Sequence, residues 1–170
     1  GGILAVALAR ANPAAIRRLA LIDPPPLRAE ERTPVARSLP DLTPDFSGAH
    51  LQKAWYFVRD QEIFSEWYAQ DLAHSLNWEM QLDPADIHRR VVEVLKAGPA
   101  VRAALEASSA YAFDSALNAC EASVLCLADP AHPAQAARAE AAAGAARYGR
   151  FTLVSRQPVA TASQILSFLA

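Results

Sequence analysis

Three short apolar runs lie far apart in this chain, and what separates them constrains the fold more than any other feature. Arg17–Asp23 (RRLALID), Ser123–Ala128 (SVLCLA) and Arg150–Ser155 (RFTLVS) each have the length of a strand. The first is stopped by Pro24, Pro25 and Pro26, the second by Asp129-Pro130. In the first two the apolar residues are continuous rather than alternating, the pattern of strands buried on both faces of a parallel sheet; the third reads simply as a short strand. Parallel strands cannot be joined by a hairpin and need long crossovers. The sequence predicts those crossovers as helices, so the fold class is α/β.

The helical readings follow from periodicity and stop signals. Ile3–Asn12 is Ala/Leu-rich and ends at Asn12-Pro13, because the residue before proline is pushed out of the α region. Four helices are expected between His50 and Phe113. The first two run over 50–60 and 61–75, with Trp55, Phe64, Trp67 and Tyr68 at helical spacing. The third opens at Asp83-Pro84, an N-cap with proline at the first helical position, and stops at Gly98-Pro99. The fourth covers Ala100–Tyr111. Pro133–Ala146 and Pro158–Ala170 complete the set, the last with Val159, Ala162, Ile165, Leu166 and Leu169 on one stripe. Arg28–Gly48 holds Pro34, Pro40 and Pro44, shows no period and reads as a surface connection.

Composition removes several functions. With 52% hydrophobic and 20% charged residues the chain can bury a core, and 170 residues suit one medium domain. A formal net charge of −2 supplies no basic face for a phosphate backbone, so no nucleic-acid partner is expected. The longest apolar stretch, 1–9, is far short of the roughly 20 residues of a membrane helix, so no membrane partner is expected either. Cys120 and Cys126 form no metal-ligand spacing, which gives no metal and no cofactor and favours a reducing, cytoplasmic setting.

The order of elements, with these residues, resembles the α/β-hydrolase family. The opening GGILAVALARANPAAIRRLALIDPPPL is similar to the segment that follows the nucleophile elbow, with Gly1-Gly2 as the tail of the elbow's tight turn. SVLCLADPAHP resembles the strand and turn that carry the catalytic acid, and RFTLVS with QILSFLA resembles the last strand and closing helix. The middle block resembles a helical cap through Gly48, His50, Leu51, Trp55, Arg59-Asp60, Phe64 and Trp67-Tyr68. The resemblance implies a partial α/β-hydrolase fold in four segments: core 1–27, connecting loop 28–48, helical cap 49–119 and C-terminal core 120–170.

The implied activity is hydrolysis of a small ester- or amide-type substrate in the complete enzyme. The cap residues that would meet the substrate are Trp55, Arg59, Trp67 and Tyr68; the alternative for the aromatics, Trp78 included, is cap core, and for Arg59 with Asp60 a solvated ion pair. The triad that acyl transfer needs is not matched. The nucleophile would stand two residues before Gly1. The acid position holds His132, with Asp129 three places early, and no His follows Leu153-Val154, where Ser155-Arg156-Gln157-Pro158 stand. Asp23 is a possible relocated acid. The isolated chain is therefore expected to be inactive, and to self-associate through an unpaired strand edge. His50, His74 and His88 read as surface or hydrogen-bonded groups, and Cys126 as a small packed residue. Two further readings are a degenerate relative that binds without catalysing and an all-helical regulatory domain.

Overall fold

A computed structural model describes residues 1–72, 74–76, 82–155 and 157–170; Trp78 and Arg156 lie outside the described residues. The chain divides into two compact units, one made of Gly1–Arg32 and Ala110–Ala170, the other of Thr33–Ser109.

The first unit contains α1 (Gly2–Ala11), β1 (Arg18–Ile22), α6 (Phe113–Asn118), β2 (Ser123–Ala128), α7 (Pro133–Ala145), β3 (Gly149–Leu153) and α8 (Pro158–Leu169). Its three strands form one parallel sheet in the order β1-β2-β3. Arg18 pairs with Ser123 and Ile22 with Leu127; Val124 pairs with Gly149 and Ala128 with Leu153. The sheet overturns the all-helical reading, because segments of five and six residues, too short for stable helices, are rescued as strands by lateral pairing. β2 is central and buried from Val124 to Ala128, as a run without alternation requires.

Helix α7 lies over β2 and β3 on a strip of small side chains, Ala139, Ala142 and Ala143, all buried. Small residues let the helix axis approach the sheet, and one position records how closely. A Cβ added to Gly149, the first residue of β3, would stand 1.9 Å from the Ala143 carbonyl oxygen and 2.7 Å from its carbon. Only glycine fits. Helix α1 packs on β1 through Val6 and Ala9. At Gly1 an added Cβ would meet nothing within 4 Å, and at Gly2 only Pro25 at 3.6 Å and Leu21 at 3.8 Å. The steric need for glycine expected at this pair is therefore absent from its described surroundings.

Helix α6 places Phe113, Ala116 and Leu117 into the core at i, i+3 and i+4 spacing, beside Val6, Leu21, Val124 and Cys126. Helix α8 forms where expected, but its apolar stripe is not covered: Val159, Leu166 and Leu169 are exposed, and no residue of the helix is buried. It is tied instead by the Arg18 guanidinium donating to the Leu169 carbonyl and by Thr161 Oγ1 donating to the Ser155 carbonyl at 3.4 Å.

The stretch 28–48, expected to be a connection, contains α2 (Ala29–Arg37), with Pro34 inside it. Glu30 and Glu31 in its first turn and Arg37 in its last complement the helix dipole, which offsets part of the cost of the proline. Arg32, on this helix, is only 4% exposed. It donates to the Pro26 and Leu27 carbonyls at 2.5 Å and also to the Tyr111 carbonyl. Burial lowers its pKa, and Asp114, Glu31 and Glu30 oppose that shift.

The second unit contains α3 (Ala49–Ile63), α4 (Pro84–Ala97) and nearly all of α5 (Pro99–Ala110). Its core is Leu39, Ala54, Phe57, Val58, Ile87 and Val91. Both ends of α4 match their signals. The Asp83 carboxylate accepts from the Ala85 N–H at 2.9 Å, and Gly98 closes the helix at φ 52°, a conformation that favours glycine. The helix expected over 61–75 is not formed among the described residues. Instead α3 runs on to Ile63, Phe64 turns extended, and an antiparallel bridge joins Phe64 to Ser75. The helical spacing of the aromatics there reflects tertiary contact: the Trp67 ring meets the edge of Phe57 across 5.2 Å.

Candidate functional site

The residues singled out in the cap resemblance all belong to the second unit, and the structure gathers four of them, Arg59, Asp60, Trp67 and Tyr68. Trp67 and Tyr68 line a depression of about 260 Å³, together with Tyr56, Phe57, Asp60 and Gln70. Arg59 stands beside it, fixed to Asp60. Trp55 does not line this depression; it packs against the core around Ala54 and Val58.

The depression is built on a buried carboxylate. Asp60, on α3, is 5% exposed. Arg59 Nε donates to its Oδ1 at 2.8 Å, and Gln70 Nε2 donates to its Oδ2 at 2.9 Å. The Arg59 guanidinium also lies 4.5 Å over the Tyr56 ring, a cation–π contact. Arg59 and Asp60 are thus no solvated ion pair. Helix α3 carries the carboxylate inward among aromatic rings, and Arg59 and Gln70 satisfy it there, as a buried charge requires. Trp67 and Tyr68 stand edge to face at 5.2 Å and form the apolar wall. Such a hollow can hold a small ring or acyl group against the aromatic wall. Gln70 is the residue that sequence reading missed; its distance of ten positions from Asp60 gives no local signal.

The positions where a triad would stand belong to the first unit. Asp23 follows β1 and Asp129 follows β2, at the carboxyl ends of adjacent parallel strands, where open α/β sheets bind ligands. Asp23 has a left-handed backbone, φ 47°, and its N–H donates to the Leu127 carbonyl at 2.9 Å. The Asp129 carboxylate accepts from the Ala131 N–H at 2.9 Å and holds the turn into α7. His132 is the N-cap residue of that helix. Cys126 lies in β2, and burial pushes its thiol up to about 11, so it stays protonated near neutrality. Cys120 is buried too.

Elsewhere in the second unit, His50 Nδ1 faces both the Asp45 N–H at 3.2 Å and the Asp45 carboxylate at 3.3 Å, and His74 Nδ1 lies 2.7 Å from the Asp71 carboxylate. Among the described residues no group of three His, Cys, Asp or Glu side chains could hold a metal ion, and no helix is long and apolar enough to cross a membrane. The chain matches no known protein family, no characterised protein and no solved structure.

Proposed function

We propose that this chain works as part of an α/β-hydrolase-type enzyme acting on a small ester or amide, its first unit supplying strands of a larger parallel sheet and its second unit a cap. One observation carries the reading. Three parallel strands stand in sequence order, with the helical unit inserted between β1 and β2. Apolar side chains of the first unit, Leu4, Leu8 and Ile22, are exposed, as they would be where further strands and helices belong. Within the cap, Trp67 and Tyr68 would bear on the substrate's apolar part, with Arg59 held by Asp60 for its polar end. The nucleophile and the general base would come from other residues of a longer polypeptide.

The test is hydrolysis of p-nitrophenyl acetate and butyrate by a polypeptide that includes the coding sequence upstream of Gly1. Turnover blocked by an active-serine phosphonate reagent is the expected result, with none above buffer from the 170-residue chain. An upstream frame without G-x-S-x-G, or turnover that the reagent leaves intact, overturns the reading. A second reading has its own support: Asp129 already serves the Ala131 N–H, and the acid position holds His132. On that reading the protein is a relative that binds without catalysing, and the longer polypeptide is inert while still taking up substrate analogues.

A further inference from the structure

The second unit holds a larger hollow that the hydrolytic reading does not use. It measures about 600 Å³, within the range of small-molecule sites, and is enclosed by the segment 39–44, the start of α3, the end of α4 and the start of α5. Leu39, Leu42, Leu51, Leu95 and Val101 give it apolar walls. Its polar groups are few and mostly cationic or neutral donors: Lys96, Arg102, His50 and Thr43.

Among the described residues the lining holds one carboxylate, and it is already engaged. Asp41 accepts from Thr43 Oγ1 at 2.7 Å and from the Thr43 N–H at 3.0 Å, and this bonding holds its carboxyl below the usual aspartate range. Of the two cations, Arg102 is fixed to the wall and Lys96 reaches into solvent at the rim. Arg102 Nη2 donates to the Leu39 carbonyl at 3.0 Å, which pins the guanidinium to the cavity wall; Glu106 lies at the limit of ion pairing, 4.0 Å. Lys96 Nζ is 3.4 Å from Glu93 in an exposed pair of the kind that contributes little. The His50 ring is set by Asp45 through Nδ1, which leaves Nε2 as its remaining polar atom. An apolar hollow with two cations and a fixed imidazole selects against amines and gives neutral chains no anchor.

We propose that this cavity binds a soluble monocarboxylate with a medium-length aliphatic chain, its carboxylate held by Arg102 and Lys96 and its chain lying on Leu42, Leu51, Leu95 and Val101. The inference does not depend on the hydrolytic reading, since every lining residue belongs to the second unit and no bond is made or broken.

Isothermal titration calorimetry on the 170-residue chain, with hexanoate, octanoate and decanoate below their self-association concentrations, tests it. One site is expected, with Kd falling about fourfold per added methylene until the hollow is filled. 1-Octanol and octylamine should bind at least tenfold more weakly than octanoate. Arg102→Gln and Lys96→Gln should each weaken octanoate roughly three- to tenfold and leave octanol unchanged. Leu51→Glu, at a half-exposed wall position, should abolish binding. Lys96 is well exposed, so its variant keeps the test valid if Arg102→Gln disturbs the fold. Equal affinity for octanol and octanoate, tighter binding of octylamine, no saturable heat at millimolar ligand, or indifference to both cation variants would each overturn the proposal.

Discussion

Replacing Gly149 with alanine is the sharpest probe of how α7 sits on the sheet. The new methyl would be 1.9 Å from a backbone oxygen, about half of a normal carbon–oxygen contact, and the obstacle is main chain that no rotamer change can clear. Either β3 leaves its register with Val124 or α7 lifts off Ala139 and Ala142. Overpacking of a core costs about 1–3 kcal/mol, and a main-chain obstacle puts this case at the upper end, while the alanine's smaller unfolded-state entropy returns about 0.4–1 kcal/mol. The net expectation is a loss of about 2–2.6 kcal/mol, or roughly 4–10 °C in Tm for a chain of this size. Gly144 is the control. It lies five residues away at an exposed position in the last turn of α7, a Cβ there meets nothing within 4 Å, and alanine should stabilise by up to about 1 kcal/mol through helix propensity. Thermal and urea melts followed by circular dichroism give both signs. If Gly149→Ala melts with the parent chain, or if Gly144→Ala is the more damaging of the two, the close approach of α7 to β3 is wrong.

Other expectations follow from the same geometry. Ultracentrifugation of the isolated chain should show self-association through the open edge of β1, and Ile22→Lys should shift it toward monomer by placing a charge on that edge; a parent chain that sediments as a monomer counts against this. Iodoacetamide should label neither Cys126 nor Cys120 in the folded chain at pH 7.5 and both in urea, so rapid native labelling would refute their burial. The Ser47 hydroxyl, aided by the His50 and Ala49 N–H groups, holds the Asp45 carboxyl below its ordinary range. Its contribution is therefore complete above about pH 4 and lost as pH falls toward the folded-state value. Asp45→Ala should flatten that acid limb in a series of urea midpoints, and identical limbs would contradict the assignment.

What could be read from the residues was whatever is decided locally or by continuous burial. Asp83-Pro84 and Gly98-Pro99 bracket α4 because capping and stopping are settled within a few residues. SVLCLA gives β2 residue for residue, because only a central strand is apolar on both faces. The failures share a cause in distance along the chain. Pro34 argues against a helix, yet α2 forms, and its Arg32 is satisfied by carbonyls up to 79 residues away. Phe64, Trp67 and Tyr68 have helical spacing, but the backbone there follows the contact of Trp67 with the Phe57 ring and the bridge to Ser75 instead. In the candidate site, the aromatic wall was legible as a cluster. The inward turn of Asp60 was not, since its partner Gln70 arrives from a loop. The 600 Å³ hollow had no signature either, because three separate stretches of the sequence, 39–44, 50–51 and 95–102, enclose it.

Arg32 has a consequence for how the polypeptide can be rearranged. Its guanidinium clips the departing chain at Pro26 and Leu27 to the returning chain at Tyr111, so both stems of residues 33–109 are fastened before that insertion begins. The sheet unit therefore meets the whole insertion as a loop whose mouth is already shut, and loop-closure entropy grows only slowly with length. Such a clasp makes the inserted block exchangeable: a short flexible tether, or a different helical module, could be spliced across the same two stems with little penalty to the sheet unit's strands.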